Sequence, residues 1–182
     1  LTFLGIAGKI SEKDIDENTI KQSEMIFLEG YLWDEGEPTS AFNKAMLVSN
    51  NKAMSLSDQF CVERHKEDFL DLVKNKLDVI FANEQEIMSL IDAKNFKDVM
   101  EFGKKLGKLL VITRGEKGSI AIKNQEIIEC KSNPNLKIVD LTGAGDLFAA
   151  GFLHGFINNV KTKECLKKGT EMSSKIIQKI GA

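Results

Sequence analysis

The stretch from Asp140 to Gly155, DLTGAGDLFAAGFLHG, holds the residue types and spacing best suited to chemistry. Lys137, Ile138 and Val139 read as a short β-prone run, Thr142-Gly143-Ala144-Gly145 as a tight turn, and Asp146 as the opening of a long apolar helix. Two glycines around one alanine let the backbone turn sharply and come close to a ligand. The free amides at the start of such a helix, with the positive end of its dipole behind them, favour an anion, most usefully a phosphoryl group. A carboxylate at Asp146 would compete for those donors unless it faces an acceptor hydroxyl and takes its proton, which is the position of a general base. A purely structural role fits the same residues, since an Asp in a first helical turn complements the dipole and Gly-Ala-Gly can be a turn alone.

Two familiar phosphate fingerprints fail here. Gly143 and Gly145 supply the first half of G-x-G-x-x-G, but Phe148 stands where the third glycine belongs, which argues against a hydride-transfer enzyme with a dinucleotide domain. No G-K-[ST] follows the turn, so it is not a Walker loop.

Upstream, the continuous apolar run Val79-Ile80-Phe81-Ala82 reads as a strand buried on both faces, followed directly by Asn83-Glu84-Gln85-Glu86. Asn83 and Glu86 are three apart, so at a helix start both side chains can point the same way. An amide and a carboxylate so placed suit a hydrated magnesium ion, which keeps several waters and needs few protein oxygens. They equally suit a reciprocal helix cap. After the next strand, Leu109 to Thr113, the turn Thr113-Arg114-Gly115-Glu116-Lys117-Gly118 offers a hydroxyl and two glycines able to take positive φ, fit for contact with nucleotide phosphates or for a plain hairpin turn. His65 stands among charged residues and reads as surface. His154, on the apolar helix, reads as a core histidine bonded to a carbonyl.

With these residues in view, T-G-A-G-D followed by a small-residue apolar helix resembles the anion-hole signature of the ribokinase family of sugar and nucleoside kinases. Four segments resemble that family in its order: Glu29 to Asp34 (EGYLWD, similar to its adenosine-kinase-like branch), Asn83 to Glu86, Thr113 to Gly118, and Asp140 to Asp146. The resemblance implies a γ-phosphoryl transfer from ATP to a primary hydroxyl of a nucleoside or sugar, most simply adenosine, with a ribose- or fructose-type acceptor as the alternative. It implies Asp146 as base, with Gly143, Ala144 and Gly145 as the anion hole. Asn83, Thr113, Gly115, Gly118 and Ser174 would bind nucleotide, Glu86 would organise Mg2+, and Asp140, with Thr142, would belong to a site for a monovalent cation such as K+. A nucleotide-binding domain without transfer activity remains a competing expectation.

The elements that must position these residues alternate strand and helix, which indicates an α/β fold: a ribokinase-like three-layer sandwich, its mainly parallel sheet covered by helices on both faces. Ser119 to Lys123 and Glu126 to Cys130 alternate apolar and polar about Asn124-Gln125, predicting an antiparallel hairpin near one edge. Thr2 to Ile6 and Met25 to Leu28 read as strands, Pro38 opens a helix carrying Phe42, Ala45 and Met46, and the last helix runs from about Thr162 to Ile180.

The 182 residues, 42% hydrophobic, suffice for one core. The net charge of −2, from 25 basic and 27 acidic residues, gives no field to draw in nucleic acid or an anionic membrane. The partner that the resemblance implies is a small-molecule substrate, the protein being expected as a monomer or homodimer. Cys61, Cys130 and Cys165 match no metal spacing and read as free thiols, and with no segment of about 20 apolar residues a cytoplasmic location is expected. Leu1 opens directly on an apolar run, so residues 1–182 read as the C-terminal, ATP-binding and catalytic part of one domain. The family's acceptor pocket and small β lid would lie before them, and such a fragment is expected to be inactive alone.

Overall fold

The computed structural model describes residues 5–33 and 38–181. Its strands are β1 (Ile26–Glu29), β2 (Lys52–Ser55), β3 (Val79–Asn83), β4 (Leu109–Thr113), β5 (Ser119–Lys123) and β6 (Glu126–Cys130). The α-helices are α1 (Glu17–Gln22), α2 (Pro38–Val48), α3 (Gln59–Arg64), α4 (Lys66–Asp71), α5 (Glu84–Leu90), α6 (Phe96–Leu106), α7 (Ala144–Ile157) and α8 (Thr162–Ile176).

The six strands lie side by side in chain order. β1 to β4 run parallel, whereas β5 and β6 form the expected antiparallel hairpin at one edge. Because the first four strands share a direction, Glu29, Ser55, Asn83 and Thr113 all come out at the same end of the sheet. Asn83 is level with Thr113, and Thr113 with Ser119. In open α/β sheets that carboxyl end is where ligands bind.

Both faces of the sheet are covered, which is why the central strands are unbroken apolar runs. On β3, Ile80 and Ala82 enter one core with Phe42, Met46, Val62, Phe69 and Val99 from helices α2, α3, α4 and α6. Val79 and Phe81 enter the other, against Phe148, Ala149 and Phe152 of α7 and Leu166 of α8. Phe152 is fully buried against Phe81, ring centroids 5.5 Å apart, a burial that stabilises by about 2 to 3 kcal/mol. Helices α7 and α8 press closely together: a Cβ on Gly151 would lie 2.8 Å from the Lys168 carbonyl, and one on Gly169 would lie 2.8 Å from that of Phe148.

Some local expectations change. Gly5–Lys9 forms a 3-10 helix rather than the end of a strand, while residues 1–4 lie outside the described part. Lys137 to Val139 forms no strand, because the amides of Val139 and Asp140 donate to the Ile177 carbonyl at the end of α8 instead of to a sheet neighbour. Helix α8 stops at Ile176, and no helix of the described residues is long and apolar enough to cross a membrane.

Candidate active site

The turn before α7 is built from its own residues. Asp140 Oδ1 accepts from the Thr142 amide at 2.9 Å and the Thr142 hydroxyl at 2.7 Å, and its Oδ2 accepts from the Gly181 amide at 2.9 Å. These donors, the Thr142 amide foremost, hold the Asp140 carboxyl below its ordinary pKa. Gly143 then takes a left-handed conformation, φ 70° and ψ 3°, and caps α7. That conformation is cheap for glycine and strained for other residues. The Ala144 amide closes the turn on the Leu141 carbonyl at 3.2 Å, and the first bond into the helix is from the Leu147 amide to the Gly143 carbonyl, 2.9 Å.

Among the described residues the Gly145 and Asp146 amides reach no backbone carbonyl. The Gly143 amide likewise has no acceptor, so of the expected set from Gly143 to Gly145 only Ala144 is committed to the turn, and among the described residues Gly143, Gly145 and Asp146 keep amides free for an anion. A Cβ on Gly145 would meet nothing within 4 Å, so the space in front of this helix start is open.

Facing this helix start is the turn after β4. Gly115 and Gly118 do adopt positive φ, 56° and 91°. A Cβ on Gly118 would stand 2.1 Å from the Cys130 carbonyl, so the turn is folded hard against the end of β6. Between the two lies a cleft of about 650 Å³, within the usual size of small-molecule sites. Thr113, Gly115, Gly118, Ala144, Gly145 and Ser174 all line it, joining residues up to 61 positions apart (174 − 113).

Sequence reasoning missed Asn133 and Thr170 in the same wall. Asn133 Nδ2 donates to the Ser174 hydroxyl at 2.9 Å, and Thr170 and Ser119 hydroxyls are 3.4 Å apart. Asn133 lies in a polar loop with no local signal, so only the fold brings it to Ser174.

Asn83, Glu86, Asp140, Gly143 and Asp146 lie outside that lining. Asn83 and Glu86 form a reciprocal cap: the Glu86 amide donates to Asn83 Oδ1 (2.9 Å), the Asn83 amide donates to Glu86 Oε2 (2.8 Å), and Asn83 Nδ2 donates to Glu86 Oε1 (2.6 Å). Glu86 is 5% exposed, and its burial pushes the carboxyl up to about 7, helped by the negative Asp58 and opposed by the Asn83 bonds. Glu29, at the end of β1, is likewise pushed up to about 7, by burial first and by the charge of Asp146 second. Asp146, at the start of α7, is exposed and within electrostatic reach of Glu29. Glu29 accepts from the Ser57 hydroxyl at 3.1 Å, which opposes the rise. Glu29 lies in a stretch singled out from the sequence, but its carboxylate was given no role; Asp34 of that stretch lies outside the described residues. Among the described residues no three His, Cys, Asp or Glu side chains converge as a metal cage. His154 is exposed rather than in the core, its Nδ1 3.2 Å from Lys168 Nζ.

The pfkB family of carbohydrate kinases matches residues 1–182, and the chain belongs to it, the ribokinase family that its four segments resemble. A cytidine kinase of Thermococcus kodakarensis is 34% identical over 119 residues, 64% of this chain and 42% of that protein. The adenosine kinase of Schizosaccharomyces pombe is 30% identical over 172 residues, 84% of this chain and 50% of that protein. The crystal structure of adenosine kinase from Sinorhizobium meliloti has a TM-score of 0.92 at 34% identity, covering 96% of this chain and 55% of that one. A putative ribokinase II from E. coli, in complex with ATP and Mg2+, shares the fold at a TM-score of 0.85 and 19% identity, over 96% of this chain and 58% of that one. The chain thus spans about half the length of these relatives.

Proposed function

We propose that the protein transfers the γ-phosphoryl group of ATP to a primary hydroxyl of a nucleoside, with adenosine as the acceptor. In this reading residues 1–182 form the ATP-binding and catalytic half of one ribokinase-like domain, and most of the acceptor pocket comes from outside them. The observation that carries the reading is the start of α7. Unbonded amides, an open approach at Gly145 and an exposed Asp146 meet at the end of a cleft whose far wall is the glycine turn Thr113 to Gly118.

The residues fit the nucleotide and a magnesium ion. The cleft volume suits a nucleotide, and among the described residues the Glu86 carboxylate accepts hydrogen bonds from Asn83 alone, so its other lone pairs can accept from metal-bound water. Bound magnesium would offset the charge of the phosphates. Gly115 and Gly118 shape the turn along them, and Thr113 offers a hydroxyl. Toward the acceptor, the Gly145 and Asp146 amides with the α7 dipole stabilise the charge that develops on the moving phosphoryl oxygens. Asp146 accepts the proton of the acceptor hydroxyl as the new O–P bond forms and the bond to the ADP leaving oxygen breaks. Catalysis on this account is positioning and electrostatics.

Adenosine is favoured over other acceptors by the resemblance of the Glu29 stretch and by the similarity to two adenosine kinases. A sugar acceptor is the second reading, favoured by membership of a carbohydrate kinase family. The deciding experiment measures ADP formation by the full-length protein with adenosine, cytidine, ribose and fructose. The proposal expects the highest kcat/KM with adenosine. Preference for ribose or fructose would replace it with the sugar reading, and ATP binding without turnover on any acceptor would reduce the site to a nucleotide-binding module.

A further inference from the structure

Behind the glycine turn, outside the cleft lining, stands a network that the proposed mechanism does not use. Arg114 follows Thr113 directly, and Glu84 follows Asn83 directly, at the ends of strands paired Asn83 to Thr113. Arg114 Nε donates to Glu84 Oε2 at 2.8 Å, both side chains only about a fifth exposed (20% and 22%). The Arg114 guanidinium lies over the Phe96 ring, 3.6 Å from its centroid. The turn closes on the same residue: the Arg114 amide donates to the Gly118 carbonyl at 2.8 Å, and the Arg114 carbonyl accepts from Lys117 at 3.1 Å. Lys117 Nζ also reaches Glu84, at 3.2 Å, but is 63% exposed. Burial alone would raise the Glu84 carboxyl, and the Arg114 and Lys117 bonds outweigh that and hold it below its ordinary value.

We propose that Arg114 is a positioning residue for nucleotide binding: clamped between Glu84 and the Phe96 ring, it locks the turn Thr113 to Gly118 to the Asn83–Glu86 junction, so that this wall of the cleft is set before a nucleotide arrives. This rests on reading the cleft as the ATP site. The chemistry requires arginine. Only a planar guanidinium stacks flat on a ring while donating in plane to a carboxylate; a lysine keeps the charge but cannot make both contacts at once. Gly115 and Gly118 provide no side chains of their own to hold the turn, which the Ser132 hydroxyl ties to the end of β6 by donating to the Glu116 carbonyl at 2.6 Å and the Arg114 clamp ties to Glu84 at the start of α5. Freed from the clamp, the turn would populate several conformations, and the fraction competent to bind falls accordingly. The defect is one of affinity, since Asp146 and the α7 amides are untouched.

The test uses the full-length protein, with ATP affinity measured by calorimetric titration and turnover by ADP release. Arg114→Lys is expected to weaken ATP binding and raise KM for ATP by about tenfold with kcat within about twofold. Glu84→Gln and Phe96→Leu, which remove the clamp from either side, should show smaller shifts in the same direction. Lys117→Gln should change ATP affinity by less than about twofold, its exposed pair being screened. Unchanged ATP affinity in Arg114→Lys and Phe96→Leu, even with a lowered melting temperature, would overturn the proposal and leave the network a stability feature only. So would a loss confined to kcat. Wild-type protein that binds no ATP at all would instead overturn the reading of the cleft, and this inference with it.

Discussion

Replacing Glu86 by glutamine tests the electrostatics of the site before any ligand is added. The carboxyl is raised from 4.5 to about 7, chiefly by burial. The folded state therefore holds more protons than the unfolded state between those values. The associated stability is complete below 4.5 and is lost as the pH rises through about 7. At about 1.4 kcal/mol per pH unit the full gap corresponds to about 3 kcal/mol, and the part falling between about pH 5.5 and about pH 8 is about 2 kcal/mol. Glutamine imitates the uncharged acid: its oxygen can still accept from the Asn83 amide and its backbone amide can still donate to Asn83 Oδ1, whereas its NH2 group cannot accept from Asn83 Nδ2, so the α5 cap keeps two of its three bonds without the charge. Urea unfolding of the nucleotide-free full-length protein in chelator, at the two pH values, measures the effect. Wild type should lose stability on going to pH 8, and Glu86→Gln should lose about 2 kcal/mol less. Glu29, raised to the same region, accounts for part of the slope that remains. Equal slopes in wild type and variant would refute the claim that a buried carboxyl at Glu86 is being forced to ionise.

Two glycines should separate folding from function. Gly118→Ala places a Cβ 2.1 Å from the Cys130 carbonyl at φ 91°, and a thermal melt should show a loss of about 2 to 4 kcal/mol. Gly145→Ala meets nothing within 4 Å and lies in a helix, so its melting temperature should hold or rise slightly, yet turnover should fall by at least about tenfold as the methyl group fills the anion's approach.

The fold was readable where one residue type admits one conformation or where a run has one period. Val79 to Ala82, apolar without interruption, could only be a strand covered twice, and Ser119 to Cys130 alternates cleanly about its Asn124 turn, whose φ of 55° suits asparagine. Gly107, left-handed at φ 72°, ends α6 in the conformation that glycine adopts most cheaply. What escaped reading depends on partners distant in the chain. Lys137 to Val139 has the composition of a strand, but the Val139 amide, with that of Asp140, meets the Ile177 carbonyl, 38 residues on from Val139 (177 − 139 = 38). His154 falls on the outward side of α7, where an almost wholly apolar helix gave no clue to which side is wet. Ser174 was found and its partner Asn133 was not, since a hydrogen bond between an irregular loop and a helix leaves no periodic trace.

The central claim is that an exposed carboxylate at the start of α7 takes the acceptor's proton while neighbouring amides hold the phosphoryl group. Its most direct measurement is steady-state turnover of full-length Asp146→Asn with ATP and its best acceptor, alongside ATP affinity by titration. The account predicts a fall in kcat of about a thousandfold or more with ATP affinity little changed. Turnover within a few-fold of wild type would contradict it.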